Sequence, residues 1–420
     1  MEKRANWYRL DNAAKIVPST AKGANTRVFR LTCELKEDVV KDVLQEALDE
    51  TAKEFPFFNC VLHRGIFWYY LEDSNLRAEV EEEHTPACLP LYIPGKKALL
   101  YRVNYFRKRI NLEMFHVLAD GTGAFMFFKS MIIRYLQLRH GLSEDIKPVD
   151  DFSIEEKNVD AFKDNYAKQK GLGQLNEMKK VRAYQVTGEV DDNLLPHLLE
   201  GCVSAGKFLE LAHKYDTTVG VMCVALYIKA VIQGMNRFQK KRHIVVSVPV
   251  NLRQFYKSGT ARNFFGVINI DYDPASFDGE LKSIIEPVAA DFKEKLSPEN
   301  IEKTMNSYST LEHNLAIKMV PLPIKDFAIG YFDRAAKRGV TTSMSNLGQI
   351  KMPAEVSDYI DKFSAFMKAS SQQVCVCSFK DKMVFGEVSP FKTHKTMLNF
   401  MRCLTQEGIE VELATNDYDE

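Results

Sequence analysis

Two periodicities take turns along the chain, one of period two and one near 3.6, and their order predicts stacked layers. "TRVFRLTCEL", from Thr26, alternates apolar and polar residues as a half-buried strand does. Val39, Val40, Val43, Leu44, Ala47 and Leu48 then recur at helical spacing within 36–55. "FFNCVLHRGIFWYYLED" and "ALLYRVNYFRKRINLEMF" return to aromatic and β-branched strand residues, the second split by a charged turn. Next comes a helix, with Phe128, Met131, Tyr135 and Leu138 in one row, Phe125, Ile132 and Leu136 beside them, and Gly141 closing the pattern. Strand, helix, strands, helix is the signature of an α/β arrangement.

From Gly141 to about Tyr184 the chain turns polar and thinly apolar, which predicts a connection carrying at most one exposed helix. Beyond "YQVTGEV", two consecutive helices are expected in 204–235, with Ser204 and Thr217 as N-caps. "HIVVSVPVNLR" and "FFGVINIDYD" predict strands, and 277–337 carries several helical patterns, including "ENIEKTMNSYSTLEHNLAIKM". "VTTSMSN", "QQVCVCSF" and "KMVFGEV" predict strands, His394 to Thr405 a helix, and "IEVELAT" a last strand. The boundaries that follow are a first lobe over 1–145, a polar connection over 146–183 and a second lobe over 184–420. A chain of 420 residues is long for one core, so a ligand cleft between two lobes is expected.

Composition narrows the partners. Lysine plus arginine and aspartate plus glutamate number 56 each, so no excess positive charge draws the chain to nucleic acid or to an anionic membrane surface. The most apolar run, "VGVMCVALYIKAVIQGM", is interrupted by Lys229 and falls short of the roughly 20 residues of a spanning helix. No transmembrane segment is expected, and "MEKRANWYRLDNAAK" lacks a signal-peptide core, which points to the cytoplasm. Eight scattered cysteines, mostly inside apolar runs, read as buried free thiols of a reducing compartment. Cys375 and Cys377 form only a C-x-C and read as core strand. No metal site is expected, His213 standing alone on its helix. Phe125, Phe127, Phe128 and Trp68 are expected to lie mostly in the core.

The candidate chemistry sits in "INLEMFHVLADGTGAFMFFKS". Strand alternation places Ile110, Leu112, Met114 and His116 on one inward face. Asp120 falls where a carboxylate caps the following helix, and Gly121 and Gly123 allow a tight turn. On spacing alone His116 reads as a hydrogen-bonded structural residue before a catalyst, and Asp120 as a cap or turn.

His116-Val117-Leu118-Ala119-Asp120-Gly121 resembles the H-x-x-x-D-G motif of the coenzyme A-dependent acyltransferase superfamily. That group includes chloramphenicol acetyltransferase, plant BAHD acyltransferases, condensation domains of peptide synthetases and alcohol acetyltransferases. "SVPVNLR", ending at Arg253, "ARNFFGVI" and "TTSMSNLG", Thr341 to Gly348, resemble the segments that follow in this superfamily, the last being similar to the crossover of the alcohol acetyltransferase branch. Phe115 stands where several members carry a first histidine, and the D-F-G-W-G of plant members is absent.

The resemblance implies two chloramphenicol acetyltransferase-like lobes, each a mixed sheet with packed helices, and an active-site channel between them. It implies transfer of an acyl group, acetyl in the first instance, from acyl-coenzyme A to a small alcohol or amine, with His116 as general base. Asp120 is then a support ion-paired to an arginine, Arg253 being the candidate, with Gly121 beside it. Ser343, Ser345 and Asn346 become candidates for oxyanion or substrate contacts. No permanently bound cofactor is implied. Two alternatives stand: a non-catalytic binder on the same fold, and a condensation-type enzyme taking its acyl group from a carrier protein. A serine hydrolase would require G-x-S-x-G; "GCVSAG" has the wrong spacing, and Ser204 serves better as a cap.

Overall fold

The computed structural model describes residues 6–164, 182–313 and 319–416. Its strands are, in the first third, β1 (Trp7–Arg9), β2 (Val28–Leu35), β3 (Cys60–Arg64), β4 (Tyr69–Asp73), β5 (Val80–Glu82), β6 (Tyr101–Phe106) and β7 (Arg109–Phe115). The remainder carries β8 (His197–Ser204), β9 (Ile244–Asn251), β10 (Phe265–Tyr272), β11 (Thr342–Gln349), β12 (Ile360–Met367), β13 (Gln373–Phe379), β14 (Lys382–Ser389) and β15 (Glu412–Thr415). The longer helices are α1 (Lys41–Glu54), α2 (Gly121–His140), α3 (Ala205–Lys214), α4 (Val219–Gly234), α5 (Lys282–Lys295), α6 (Pro298–His313), α7 (Leu322–Lys337) and α8 (Lys395–Gln406).

Two mixed sheets carry the molecule. A five-stranded sheet runs β12-β2-β7-β6-β5 and a seven-stranded one β10-β9-β11-β13-β14-β8-β15, with β1-β4-β3 as a small third sheet. Helices α1 and α2 cover the first sheet, while α4 and α8 bury Met222, Leu226, Met397 and Phe400 against the second. Period-two alternation decides which core each residue joins. Along β13, Val374 and Val376 belong to the second core, whereas Cys375, Cys377 and Phe379 turn to the first. All eight cysteines are buried free thiols, and desolvation alone pushes Cys375 up to about 12.

Residues 360–367 fall within the span expected for the second lobe, yet they form an edge strand of the first sheet. Phe363 pairs with Cys33 and Ala365 with Leu31 of β2. This exchange ties the lobes together. Its mixed sequence, "IDKFSAFM", has too weak an alternation to announce a strand. The same holds for β8, "HLLEGCVS", buried between β14 and β15 on both sides, where Glu200 and Gly201 interrupt the apolar pattern. Thr218, not Thr217, caps α4: its side chain accepts the Val221 N–H at 3.3 Å, while the Thr217 N–H donates to the Ala212 carbonyl and ends α3. Of the polar connection, 165–181 lies outside the described residues. Before it stand two short helices, Ile154–Asn158 and Ala161–Asp164, with Phe162 buried edge-on against Phe264. The helical pattern over 299–319 yields α6, and 314–318 lies outside the described residues.

Candidate active site

Strand β7 ends at Phe115, one residue earlier than the alternation suggests, and His116 begins a turn. Both faces of β7 are buried, so inward and outward rows lose their distinction there. Phe115 packs stacked on Tyr92, ring centroids 5.9 Å apart, deep in the first core. His116 is half-buried, with its N–H donating to the Arg27 carbonyl at 3.0 Å. Its ring stands between the lobes, 5.3 Å from Phe29 of β2 and 5.4 Å from Phe265 of β10.

The sequence reading missed the residue that holds this ring. Asn263, buried, places its Oδ1 3.0 Å from His116 Nδ1. Its Nδ2 donates to the His116 carbonyl at 3.1 Å, the Val117 carbonyl at 3.4 Å and Asp11 Oδ2 at 3.2 Å. Three acceptors around one nitrogen fix the amide's orientation, so the oxygen faces the ring. Nδ1 must then carry the proton, which leaves Nε2 with its lone pair and, among the described residues, no hydrogen-bond partner. Burial is the main reason the His116 pKa falls below its ordinary value, against the opposing pull of its own carbonyl and of the Asp120 charge. The imidazole is therefore neutral near pH 7. Asp11 closes the chain. Fully buried, it accepts from Ala14 N at 2.8 Å, and desolvation raises its pKa to about 6 despite the Arg262 charge nearby. Nothing in "RLDNAAK" marks Asp11 as part of a site, because its partner lies 252 residues along the chain.

Asp120 is engaged at both oxygens. Oδ1 accepts Gly123 N at 2.9 Å as the N-cap of α2, and Oδ2 takes both Arg253 Nη1 at 2.8 Å and Phe264 N at 2.7 Å. Arg253 in turn donates to the carbonyls of Thr260, Arg262 and Phe264 and to Asn251 Oδ1. With both partners less than a tenth exposed, the pair is a desolvated strut that shapes the 260–264 loop against α2. Both groups are spent mainly on holding the fold together.

The two glycines act by close approach rather than by turning the chain. A Cβ on Gly123 would lie 1.9 Å from the Ala261 carbonyl oxygen, and one on Gly121 would lie 2.5 Å from Leu347 Cδ2. Gly123 thus lets the second-lobe loop touch the helix, while Gly121 brings β11 to the motif.

Along β11, Met344 joins the second core, and the alternate row, Ser343, Ser345 and Leu347, faces the first lobe. Ser345 is in register with Cys375, which packs in the first core. Asn346 falls on the other row at an irregularity in the pairing, and its Oδ1 accepts Gly348 N at 2.9 Å. Asp120 and Arg253 thus meet directly, His116 is held beside them through Asn263, Ser343 and Ser345 lie on the β11 row that faces the first lobe, and Asn346 falls on the other row. Among the described residues no cluster of metal-ligating side chains occurs and no single helix is long and apolar enough to cross a membrane.

No protein-family model matches the chain, and no curated protein matches it in sequence. Solved structures do match in shape. The F. graminearum TRI101 structure with ethyl coenzyme A superposes with a TM-score of 0.65 at 9% identity, over 97% of this chain and 99% of that one. The trichothecene 15-O-acetyltransferase TRI3 from Fusarium sporotrichioides gives 0.64 at 10%, over 96% and 94%. The first condensation domain of the CDA synthetase gives 0.61 at 13%, over 96% and 95%. At such identities the likeness is one of fold, and it spans both lobes.

Proposed function

We propose that this chain, whose fold is that of the coenzyme A-dependent acyltransferases and condensation domains, transfers an acyl group from acyl-coenzyme A to the hydroxyl or amine of a small molecule. The observation that carries the proposal is the fixed tautomer of His116, which leaves Nε2 as a base between the lobes. A neutral imidazole with one nitrogen pinned is suited to remove a proton from a neutral nucleophile.

In the proposed reaction the acceptor's proton passes to Nε2 as its oxygen or nitrogen attacks the thioester carbonyl. The tetrahedral oxyanion is met by the hydroxyls of Ser343 and Ser345, the candidates whose row faces the first lobe. Collapse breaks the C–S bond, and the departing thiolate takes the proton back from the imidazolium. Asn263 holds the ring throughout, and Asp120 with Arg253 positions the turn without touching substrate. Acetyl as the acyl group, alcohol acetyltransferase-like specificity, a substrate channel between the lobes and a cytoplasmic location belong to the same proposal. The TRI101 structures hold coenzyme A with T-2 mycotoxin or deoxynivalenol, which supports a donor thioester and a small acceptor here.

The test follows free-thiol release from acetyl-, butyryl- and longer acyl-coenzyme A, with and without a panel of alcohols and amines. Acceptor-dependent release by the wild type that disappears in His116→Ala is expected. Equal background in both proteins, together with ligand-induced thermal shifts, would make the chain a binder without turnover.

A further inference from the structure

Helix α7 is amphipathic the wrong way round for a helix lying on a protein in water. Asp326 and Asp333, seven residues apart and so on one face, point into the first lobe. Asp326 receives Ser19 Oγ at 2.6 Å, Arg64 Nη2 at 3.0 Å and the Tyr69 hydroxyl at 3.1 Å, and Asp333 pairs with Arg27 at 2.9 Å. The opposite face presents Ile324, Phe327 and Tyr331 at spacings of three and four, each well over half exposed. Trp68, expected in the core, is 41% exposed instead. It lies in the 65–68 turn between β3 and β4, which packs against the start of α7: Leu322 N donates to the Ile66 carbonyl at 2.8 Å and Lys325 sits 3.6 Å above the Trp68 ring. Ile66 and Phe67 of that turn are exposed as well, extending the apolar surface onto the first lobe.

We infer that this face, α7 with the 65–68 turn, lies in the headgroup region of a lipid bilayer. Large apolar side chains exposed together on one face mark an interaction site. Its chemistry selects a lipid surface over a protein. The helix's acidic groups are withdrawn into ion pairs with the first lobe, Lys325 and Arg334 flank the apolar row on its two sides, and Trp68 and Tyr331 are the amphipathic aromatics suited to the interface. The chain as a whole is neutral, so attachment is carried by apolar burial and not by long-range attraction. The acidic face meets the site through Arg27, whose carbonyl receives the His116 N–H at 3.0 Å. The lipid-facing surface is thus anchored two contacts from the proposed base, although the inference stands without the acyl-transfer reading.

The experiment is co-sedimentation of the full chain with phosphatidylcholine vesicles, with and without phosphatidylserine, for wild type and for Phe327→Glu with Tyr331→Glu. Both side chains are solvent-exposed, so the variant should fold, which an unchanged melting temperature verifies. Wild type is expected to sediment with both vesicles and to show a blue-shifted Trp68 fluorescence in a Trp7→Phe background. The double variant should lose at least about tenfold in partitioning, from two aromatic side chains no longer buried. No sedimentation of wild type would overturn the inference, as would equal binding by the variant. A wild-type dimer in gel filtration that the variant dissociates, without vesicle binding, would make the face a contact between copies.

Discussion

In both lobes a buried strand leads into a helix whose N-cap is a short polar side chain, at once after β8 and across the 116–120 turn after β7, yet the two junctions do different work. At the end of β8, Ser204 accepts the Lys207 N–H at 3.2 Å and donates to Asp381, all within the second lobe. At the end of β7, Asp120 performs the same capping with one oxygen and reaches across to Arg253 and Phe264 with the other. A hydroxyl satisfies one helix end. A carboxylate has a second oxygen to spare, and its charge binds an arginine from the other lobe. The proposed site lies where a cap also joins the lobes, and the histidine four residues earlier is held in the seam.

The largest effect that would sharpen this contrast is chemical. His116→Ala should lower acyl transfer by about 10²–10⁴-fold while the melting temperature stays near wild type. Next comes Asp120→Asn, which keeps the cap but leaves Arg253 uncompensated and buried. It should cost about 3–5 kcal/mol in denaturant unfolding, and wild-type stability would show that the strut is dispensable. Gly123→Ala places a methyl against the Ala261 carbonyl and should cost about 1–3 kcal/mol, with activity falling as the loop is pushed off α2. Ser204→Ala is the counter-case: about 1 kcal/mol of stability lost and turnover unchanged.

Acidity provides a finer probe. Because burial depresses the His116 pKa, the native ring stays neutral while the unfolded one takes up a proton below about pH 6.5. This group's contribution to stability is therefore present above pH 6.5 and is lost as pH falls toward its lowered native value. Asp11 acts in the opposite sense. Its raised pKa makes its contribution largest in acid, and that contribution is lost as pH rises through about 6. The acid limb of the pH–rate profile should lie below 6.5 in wild type. Asn263→Ala, which frees Nδ1, should shift that limb and lower kcat, a response that simple loosening of the loop would not produce.

The α/β layers, the helix over 121–140 with its Gly141 cap, and the free buried cysteines were legible because each is written in local periodicity or burial preference. The H-x-x-x-D-G turn was legible as a motif, and Arg253 as a partner through the segment it belongs to. Asn263 and Asp11 were not, since an amide in "ARNFF" and a carboxylate in "RLDNA" carry no local sign of facing a histidine far along the chain. Strands β8 and β12 escaped because their polar residues, Glu200 and Lys362, are buried against each other in the fold and look like breaks in the pattern without it. Trp68 misled for the converse reason. Aromatic spacing signals a buried stripe, but it does not say whether protein or another medium covers it.

By itself the sequence determined the local elements, the free and buried state of the cysteines and the histidine with its capping aspartate, because these depend on neighbours within a turn or two. Only the tertiary structure decided which nitrogen of His116 is free, which face of β11 meets it and which side of α7 is turned outward. Those outcomes depend on donors and acceptors brought together from opposite lobes, and burial makes each unsatisfied partner costly enough to fix one arrangement.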